Sequence, residues 1–249
     1  MKHLKLLSLF FILALLSCGS DDDNPVNNEP DKPDPVQPSN KYPNELVGTW
    51  QFYSGNPVAV LSSIDENDIL NQTFIFVANG NMKENIVHPN RNNQGMISSA
   101  NGNWMVENKQ LKLTDWQGNA ISGNYSYKIN ADSSLSINFN GKTAIYYRQE
   151  DVKRNYPDLI VSCRWVTISK YSRMTFYTNG RGCFETYYKN GFYNGVANFT
   201  WSYNDNIIKA IYEDRASSIA TEEYVINYLN KKSISWTFKN DTACYIREQ

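Results

Sequence analysis

Residues 134–141 read Ser-Leu-Ser-Ile-Asn-Phe-Asn-Gly, and this stretch decides the fold class. Its apolar residues stand at every second position, which is the period of a half-buried β-strand. It ends in Asn140-Gly141, a pair that tolerates the positive φ angles of a tight hairpin turn. The same alternation occurs over 125–129 and 111–113, and further Asn-Gly pairs begin at positions 79, 179, 190 and 194. The sequence therefore predicts antiparallel strands that are joined by hairpins.

This hairpin-rich pattern continues through residues 44–249, where about eight short strands fit each half. Consecutive hairpins produce an up-and-down meander, and closing such a sheet removes its exposed edges. We therefore predict an all-β protein made of two tandem, small up-and-down antiparallel β-barrels. The first barrel would occupy residues 44–150 and the second barrel residues 151–249.

The two halves also resemble each other in sequence, which indicates an internal duplication. Aromatic and aliphatic residues recur in the same order, and a period of about 100 residues suits two small domains better than a solenoid. The matching pairs are Trp50 with Trp165, Phe76 with Phe176, Trp104 with Trp201, Leu111 with Ile208, Tyr127 with Tyr224, and Tyr146 with Tyr245.

The first half carries an insertion between its first tryptophan and its Asn-Gly turn. Ser63 precedes Glu66 by three residues, a capping-box pattern that predicts one short helix in this insertion. The acidic cluster around Glu66 lacks the glycine and the later glutamate of a calcium loop, so we predict no metal site. The apolar residues of the insertion must cover either the mouth of barrel 1, as a lid over a ligand site, or the surface between the two barrels. These residues are Val58, Val60, Leu61, Ile64, Ile69 and Leu70.

Gly48-Thr49-Trp50 resembles the G-x-W signature on the first strand of the lipocalin-like domains that are common in bacterial surface lipoproteins. Arg148, at the end of the last strand of that copy, matches the arginine that packs over the tryptophan in this family. Copy two keeps Trp165 and has Arg247 at the matching place, but Cys163 replaces the glycine. The resemblance implies non-catalytic binding modules, in which the Trp50–Arg148 and Trp165–Arg247 pairs close the barrel floors through cation–π contacts.

The N-terminus reads as an export signal with a lipid anchor. A positive start precedes the apolar run 6–16, which is too short to span a bilayer as a helix. Leu15-Leu16-Ser17-Cys18 resembles the bacterial lipobox, so residues 1–17 are predicted to be a signal peptide and Cys18 the lipidated residue. Residues 18–43 hold most of the prolines and form a Pro/Asp-rich tether.

The tether also indicates where the protein resides. Residues 19–23, Gly-Ser-Asp-Asp-Asp, resemble the acidic export tag of surface-exposed lipoproteins in some Gram-negative bacteria. We therefore expect a protein that is lipid-anchored in the outer membrane and displayed at the cell surface. An outer-membrane lipoprotein that faces inward is the alternative.

Three cysteines lie in the barrel region, namely Cys163, Cys183 and Cys244. The compartment of an exported protein is oxidising enough for one disulfide and an odd thiol. Because the first and last strands of a closed barrel are neighbours, the predicted disulfide joins Cys163 to Cys244.

Residues 187–193, Tyr-Tyr-Lys-Asn-Gly-Phe-Tyr, concentrate aromatic rings around a predicted turn. Alternation buries only about half of these rings, and exposed apolar patches mark interaction sites. The candidate contact surface comprises Tyr187, Tyr188, Phe192 and Tyr193. The competing interpretation is that the rings pack on the barrel or on the neighbouring copy.

The amino-acid composition argues against several classes of function. The 24 Lys+Arg against 25 Asp+Glu exclude a nucleic-acid protein driven by bulk charge. Only His3 and His88 are histidines, which disfavours zinc enzymes and histidine-dependent nucleophiles, and we expect His88 in an exposed loop. We expect no enzyme, no catalytic residues and no cofactor, and a protein that binds a small apolar or amphipathic ligand. The alternative is an accessory or adhesive protein that contacts glycans or other surface proteins.

Overall fold

The computed structural model describes residues 41–90, 95–213 and 219–248. Within these residues the chain forms two closed antiparallel β-barrels in tandem, each built from eight strands in up-and-down order. The predicted fold class is therefore confirmed. The two barrels belong to one compact unit of the chain.

Barrel 1 is a continuous meander in which every strand pairs with the next and the last strand returns to the first. The closing pair places Trp50 opposite Arg148. The strands are β1 (Gly48–Gly55), β2 (Asn71–Phe76), β3 (Asn81–Pro89), β4 (Gly95–Glu107), β5 (Gln110–Asp115), β6 (Tyr125–Ile129), β7 (Leu135–Phe139) and β8 (Lys142–Arg148).

Barrel 2 repeats this arrangement, and its last strand closes on its first with Trp165 opposite Arg247. The alternation of inward apolar and outward polar residues fills both interiors with aromatic and aliphatic side chains. The strands are β9 (Arg164–Thr167), β10 (Ser172–Phe176), β11 (Arg181–Tyr187), β12 (Tyr193–Asn204), β13 (Ile207–Glu213), β14 (Ile219–Leu229), β15 (Ser233–Phe238) and β16 (Asp241–Arg247).

The helix predicted in the insertion is a single 3₁₀ turn, Glu66–Asp68. Its N-cap is Asp65, whose carboxylate accepts the backbone N–H of Asn67 at 2.9 Å, so Ser63 is not the cap. Two further short helices, α1 (Gln149–Arg154) and α2 (Tyr156–Ile160), connect the barrels and were not predicted. Their apolar residues Val152, Tyr156, Leu159 and Ile160 are buried in the core of barrel 2.

Matching hydrogen bonds at the two floors support the duplication. The Trp50 indole N–H donates to the Leu46 carbonyl at 2.8 Å, and the Trp165 indole N–H donates to the Ile160 carbonyl at 2.9 Å. A second tryptophan in each barrel likewise donates to the carbonyl of the residue after the Phe76 or Phe176 position. These bonds are Trp104 to Val77 at 2.9 Å and Trp201 to Tyr177 at 3.1 Å.

The register corrects one of the matched pairs. Leu111 pairs with Tyr125, and its counterpart Ile208 pairs with Tyr224. Tyr125, rather than Tyr127, is therefore the equivalent of Tyr224. The difference is two residues, which leaves the ring on the same face of the strand because side chains alternate with period two.

The packing of barrel 1 begins before its predicted boundary at residue 44. The Tyr42 ring lies edge-on to Trp104 with centroids 5.5 Å apart, and the Lys41 carbonyl accepts the N–H of Val106 at 2.9 Å. Cys18, the signal peptide 1–17 and the tether up to residue 40 lie outside the described residues.

Candidate functional site: the cleft between the barrels

The interior of barrel 1 has almost no free space. The cavity below its mouth measures about 20 Å³ and is lined by rings that include Phe74, Tyr125 and Tyr146. A volume of this size holds about one water molecule and excludes an organic ligand. The predicted ligand pocket inside barrel 1 is therefore filled by the protein itself.

A larger concave site lies between the two barrels. This cleft has a volume of about 760 Å³, which falls within the usual range for small-molecule sites. Its lining is apolar in part, through Phe52, Leu70, Ile168 and Ile246. Four cations and one carboxylate also line it, namely Lys142, Lys231, Lys232, Arg247 and Glu66.

The charges of the cleft do not balance. Lys142 forms an ion pair with Glu66 at 2.5 Å. None of the other three cations forms an ion pair within the part of the chain that the structure describes. The cleft therefore presents an excess of positive charge beside an apolar surface. Sequence reasoning missed Lys142, Lys231 and Lys232 because they come from distant turns and strands.

Each unpaired cation is nevertheless held in place. The Lys231 ammonium lies 5.2 Å from the centre of the Tyr53 ring. The Lys232 ammonium donates to the Ile69 carbonyl at 2.6 Å, and burial lowers the pKa of this lysine. Among the residues that the structure describes, the Arg247 guanidinium makes one hydrogen bond, a long one of 3.4 Å to the Ser162 carbonyl, which leaves other donors of this group for a ligand.

Direct contacts between the barrels fix the walls of the cleft. Asn230, in the turn before β15, and Ser233, the first residue of β15, both donate to the Leu70 carbonyl, at 3.0 and 2.6 Å. The Lys231 N–H donates to the Tyr53 carbonyl at 2.9 Å. Around these bonds an apolar cluster is buried, with Leu70 and Val87 from barrel 1 and Tyr228 and Cys244 from barrel 2.

The insertion of barrel 1 has two different roles along its length. Val60 and Leu61 pack against the core of barrel 1, and Val58 lines the small cavity below its mouth. Ile69 and Leu70 are buried, and their carbonyls accept the bonds from barrel 2 described above. The first part is thus a lid and the second part joins the barrels, with the half-buried Ile64 between them.

A buried polar network inside barrel 1 anchors the lid. Glu84, on β3, is 1% exposed, and its carboxylate accepts a hydrogen bond from the Gln72 amide at 2.6 Å. The Tyr146 hydroxyl donates to the other end of Gln72 at 2.6 Å. Burial raises the pKa of Glu84, although hydrogen bonds from backbone N–H groups and from Gln72 oppose this shift. The sequence feature that indicates this network is Glu84 itself, an acidic residue at an inward-facing position of the strand between Met82 and Ile86.

Arg148 lies over Trp50, as predicted. The guanidinium carbon is 4.1 Å from the ring centre, and the group also donates to the carbonyls of Val47 and Glu45. Gly48 makes this possible because a Cβ there would lie 2.0 Å from an Arg148 nitrogen. The φ angle of Gly48 is also 132°, which other residues rarely adopt.

The prediction that Arg247 covers Trp165 is wrong. The two residues are opposite in the register, but no cation–π contact joins them among the described residues. Cys163 stands where barrel 1 has Gly48, so a side chain occupies the place of the guanidinium. Arg247 is turned toward the Ser162 carbonyl and contributes to the cleft instead.

The predicted Cys163–Cys244 disulfide is also absent, since the three described cysteines are free thiols. In the register of β16 and β9, Tyr245 faces Thr167, so Cys244 lies near Ile168 rather than near Cys163. Five residues of a strand span about 16 Å, well beyond the reach of a disulfide. Cys244 instead points out of barrel 2, where its sulfur packs against Gly95 of barrel 1.

The candidate contact surface is largely accessible. Tyr188 is 56% exposed, Phe192 70% and Tyr193 53%, on a hairpin closed by the bond from the Tyr188 N–H to the Phe192 carbonyl at 2.9 Å. Tyr187 is half-buried, and its ring lies under the Arg173 guanidinium at 4.5 Å. Three of the four predicted rings therefore face solvent.

His88 is not in an exposed loop, because it lies on β3 and is buried. Its Nε2 is 2.8 Å from the Ser98 hydroxyl and its Nδ1 is 3.2 Å from the Pro89 carbonyl. Within the described residues no group of histidine, cysteine and acidic side chains is arranged to hold a metal ion. No helix in the same part of the chain has the length and apolar composition that crossing a membrane requires.

Comparison of the chain with family models, with curated proteins and with solved structures finds no match.

Proposed function

We propose that this chain is an outer-membrane lipoprotein, anchored through Cys18 and displayed at the cell surface. Its two lipocalin-like barrels form a non-catalytic binding module for a small amphipathic anion. The single observation that supports this function best is the cleft between the barrels, which combines an apolar surface with three cations that have no ion-pair partner among the described residues. No nucleic acid and no cofactor are part of the proposal.

The chemistry of the cleft defines the ligand class. Ile168 and Ile246, which are both half-buried, offer surface for a hydrocarbon or aromatic body. Lys231 and Arg247 offer donors for a carboxylate, sulfonate or phosphate head group, because charge-assisted hydrogen bonds are the stronger ones. An uncharged ligand of the same shape would leave these donors unpaired and bind more weakly.

Dye binding by the full chain tests this site. Anilinonaphthalene sulfonate carries an anionic head, and N-phenyl-1-naphthylamine is an uncharged dye with the same two aromatic groups. Lys231→Gln with Arg247→Gln should weaken binding of the sulfonate about tenfold, since two partly shielded ion pairs contribute up to about 1 kcal/mol each. Binding of the uncharged dye should stay within about twofold.

The matched control is Lys128→Gln with Lys209→Gln, which removes two exposed lysines outside the cleft. This variant has the same net charge as the cleft variant and should bind the sulfonate like the unmodified chain. Equal weakening in both variants would mean that overall charge, and not the cleft, attracts the anion.

The anchor has its own test. Cys18→Ala should move the protein from the membrane fraction to the soluble fraction, because the acyl chains provide the attachment. Retention in the membrane fraction after this substitution would contradict the lipid anchor at Cys18.

The exposed rings Tyr188, Phe192 and Tyr193 favour a second candidate function, adhesion to glycans or surface proteins. Replacement of all three by serine should abolish binding on a glycan or surface-protein array and leave dye binding in the cleft unchanged. An identical array profile would exclude this hairpin as the adhesive surface.

A further inference from the structure

Three cations meet on two neighbouring segments of barrel 2, at one side of the cleft. Lys231 and Lys232 are consecutive, and the Arg247 N–H donates to the Lys232 carbonyl at 2.9 Å, which places the two segments side by side. All three side chains line the cleft. Because like charges repel one another, such a cluster is unfavourable unless an anion lies among its members.

The acidic side chains near this cluster do not neutralise it. Glu66 lines the cleft, but its carboxylate is already paired with Lys142. Asp68 attracts the Lys232 ammonium, yet no ion pair joins the two within the part of the chain that the structure describes. The cluster therefore presents its positive charges to whatever enters the cleft.

The equivalent turn of barrel 1 shows that the fold does not require the two lysines. In both barrels an asparagine N–H closes this turn on a serine carbonyl, from Asn130 to Ser134 at 2.8 Å and from Asn230 to Ser233 at 3.0 Å. Between these residues barrel 1 has Ala-Asp-Ser, whereas barrel 2 has Lys-Lys. The lysines are therefore an addition to barrel 2 and not a requirement of the turn.

The arginine of the cluster also differs from its counterpart in barrel 1. Arg148 is engaged, since it lies over Trp50 and donates to two carbonyls. Arg247 has no cation–π contact among the described residues, and its guanidinium makes one long hydrogen bond there, to Ser162. Barrel 2 thus directs into the cleft an arginine whose counterpart in barrel 1 closes the floor.

We propose that the head group of the ligand is a phosphate monoester, which lies among Lys231, Lys232 and Arg247 while its hydrocarbon chain lies against Ile168 and Ile246. A phosphate monoester carries up to two negative charges and three strong acceptor oxygens, so it balances most of the charge of the cluster. A carboxylate, sulfonate or sulfate carries one charge and leaves the rest of the cluster without a counter-ion. This inference rests on the proposed function, because it names the anion that the cleft binds.

The first test compares octyl phosphate with octyl sulfate, which share the chain and the tetrahedral head but differ by one charge. Calorimetric titration of the full chain at about pH 7.5 should show octyl phosphate bound at least about tenfold more tightly, because the second charge gains partly shielded attraction from three cations. Inorganic phosphate should bind at least about tenfold more weakly than octyl phosphate, because it lacks the apolar chain. Equal binding of inorganic phosphate would mean that the site takes the free anion and would overturn the proposed amphiphile.

The pH dependence separates the charge of the head group from its shape. A phosphate monoester loses its second proton with a pKa of about 6, whereas a sulfate monoester keeps a single charge across this range. The preference for octyl phosphate should therefore disappear toward about pH 5 and grow as the pH rises to about 7.5. Octyl sulfate is the control, because a change in the charge of the protein affects both ligands. The titratable groups at or beside the cleft, apart from Lys231 and Arg247, are Lys142, Lys232, Glu66, Asp68 and, next to Tyr53, Asp158.

Lys231→Gln with Arg247→Gln tests where the head group lies. This variant should reduce the preference for octyl phosphate over octyl sulfate from at least about tenfold to within about threefold. The matched control, Lys128→Gln with Lys209→Gln, should keep the preference of the unmodified chain. The pH comparison uses the unmodified chain, so it decides even if the cleft variant does not fold.

The outcomes separate this inference from the proposed function. Equal affinities for the two octyl compounds at about pH 7.5, or the same preference at about pH 5 as at about pH 7.5, would overturn the phosphate head group and leave the binding of a monoanion in place. An undiminished preference in a folded cleft variant would place the phosphate away from Lys231 and Arg247 and would also overturn the inference. Failure of both compounds to bind the unmodified chain would contradict the proposed function itself.

Discussion

Barrel 1 and barrel 2 share a fold but close their floors differently. Both place a tryptophan N–H on the carbonyl of a preceding apolar residue, Leu46 in one and Ile160 in the other. Only barrel 1 adds the arginine over the indole, because Gly48 leaves room for it. The floor tryptophan is thus the part of the motif that the fold requires, whereas the arginine is an addition to one barrel.

The mouths differ more than the floors. The segment Val58–Leu61 covers the mouth of barrel 1, and its backbone N–H groups donate hydrogen bonds to the Glu84 carboxylate. In barrel 2 the corresponding end carries the hairpin with the exposed rings of Tyr188 and Phe192. Residues that repeat between the halves therefore define the barrels, and residues that differ define the candidate sites.

The largest expected effect comes from Gly48→Ala. The substitution should lower the free energy of unfolding by about 2–4 kcal/mol, which combines a strained positive φ angle with the loss of the arginine contact. Chemical denaturation monitored by tryptophan fluorescence measures this change. Cys163→Ala at the equivalent place in barrel 2 is the control and should cost less than about 1 kcal/mol. Equal effects at the two positions would mean that the floors are equivalent after all.

Arg148→Ala should have a smaller effect, about 1–3 kcal/mol, through lost stacking on Trp50 and two lost hydrogen bonds to carbonyls. Arg247→Ala should change stability by less than about 0.5 kcal/mol, because that side chain is not stacked on Trp165. Denaturant titration of both variants tests the difference. A change below about 0.3 kcal/mol for Arg148→Ala would place this residue away from the indole.

The smallest effect concerns pH. Burial raises the pKa of Glu84, so the folded state holds this proton to a higher pH than the unfolded state does. The contribution of Glu84 to stability is therefore complete below the ordinary glutamate pKa of about 4.3 and is lost as pH rises through the higher folded pKa. Glu84→Gln should lack this loss.

The test is to measure the free energy of unfolding of the unmodified chain and of Glu84→Gln from pH 4 to pH 8 in about half-unit steps. The difference between them isolates Glu84 from the other titrating groups. A difference that does not change across this range would mean that Glu84 keeps an ordinary pKa when folded.

The fold could be predicted from local pattern. The alternation of apolar and polar residues predicted the strand at 135–139. The predicted turn Asn140-Gly141 has the expected positive φ angles of 48° and 87°. The Asn194-Gly195 turn was wrong, because both residues lie within β12. Turns also form at Asn108-Lys109 and Asp205-Asn206, which carry no glycine, and local sequence marks such turns only weakly.

The candidate site was harder to predict, for a physical reason. The cleft brings together Lys142, on the last strand of barrel 1, and Lys231, on a turn of barrel 2. The local sequence around either lysine does not predict that the two lie close together, because their proximity depends on how one barrel packs on the other. The lid was predictable in outline, since its apolar residues had to be covered. Its division between two roles depends on contacts with Glu84 and Asn230 that lie far away in the sequence.

The most direct test of the cleft as the ligand site is a chemical-shift map of the full chain on addition of octanoate below its micellar concentration. We expect the largest amide shifts at Leu70, Lys231, Lys232 and Arg247, and no comparable shifts for octanol. The amides around Tyr125 and Tyr146, inside barrel 1, should remain unchanged. Shifts concentrated inside either barrel, or equal shifts with octanol, would contradict a cationic binding cleft between the barrels.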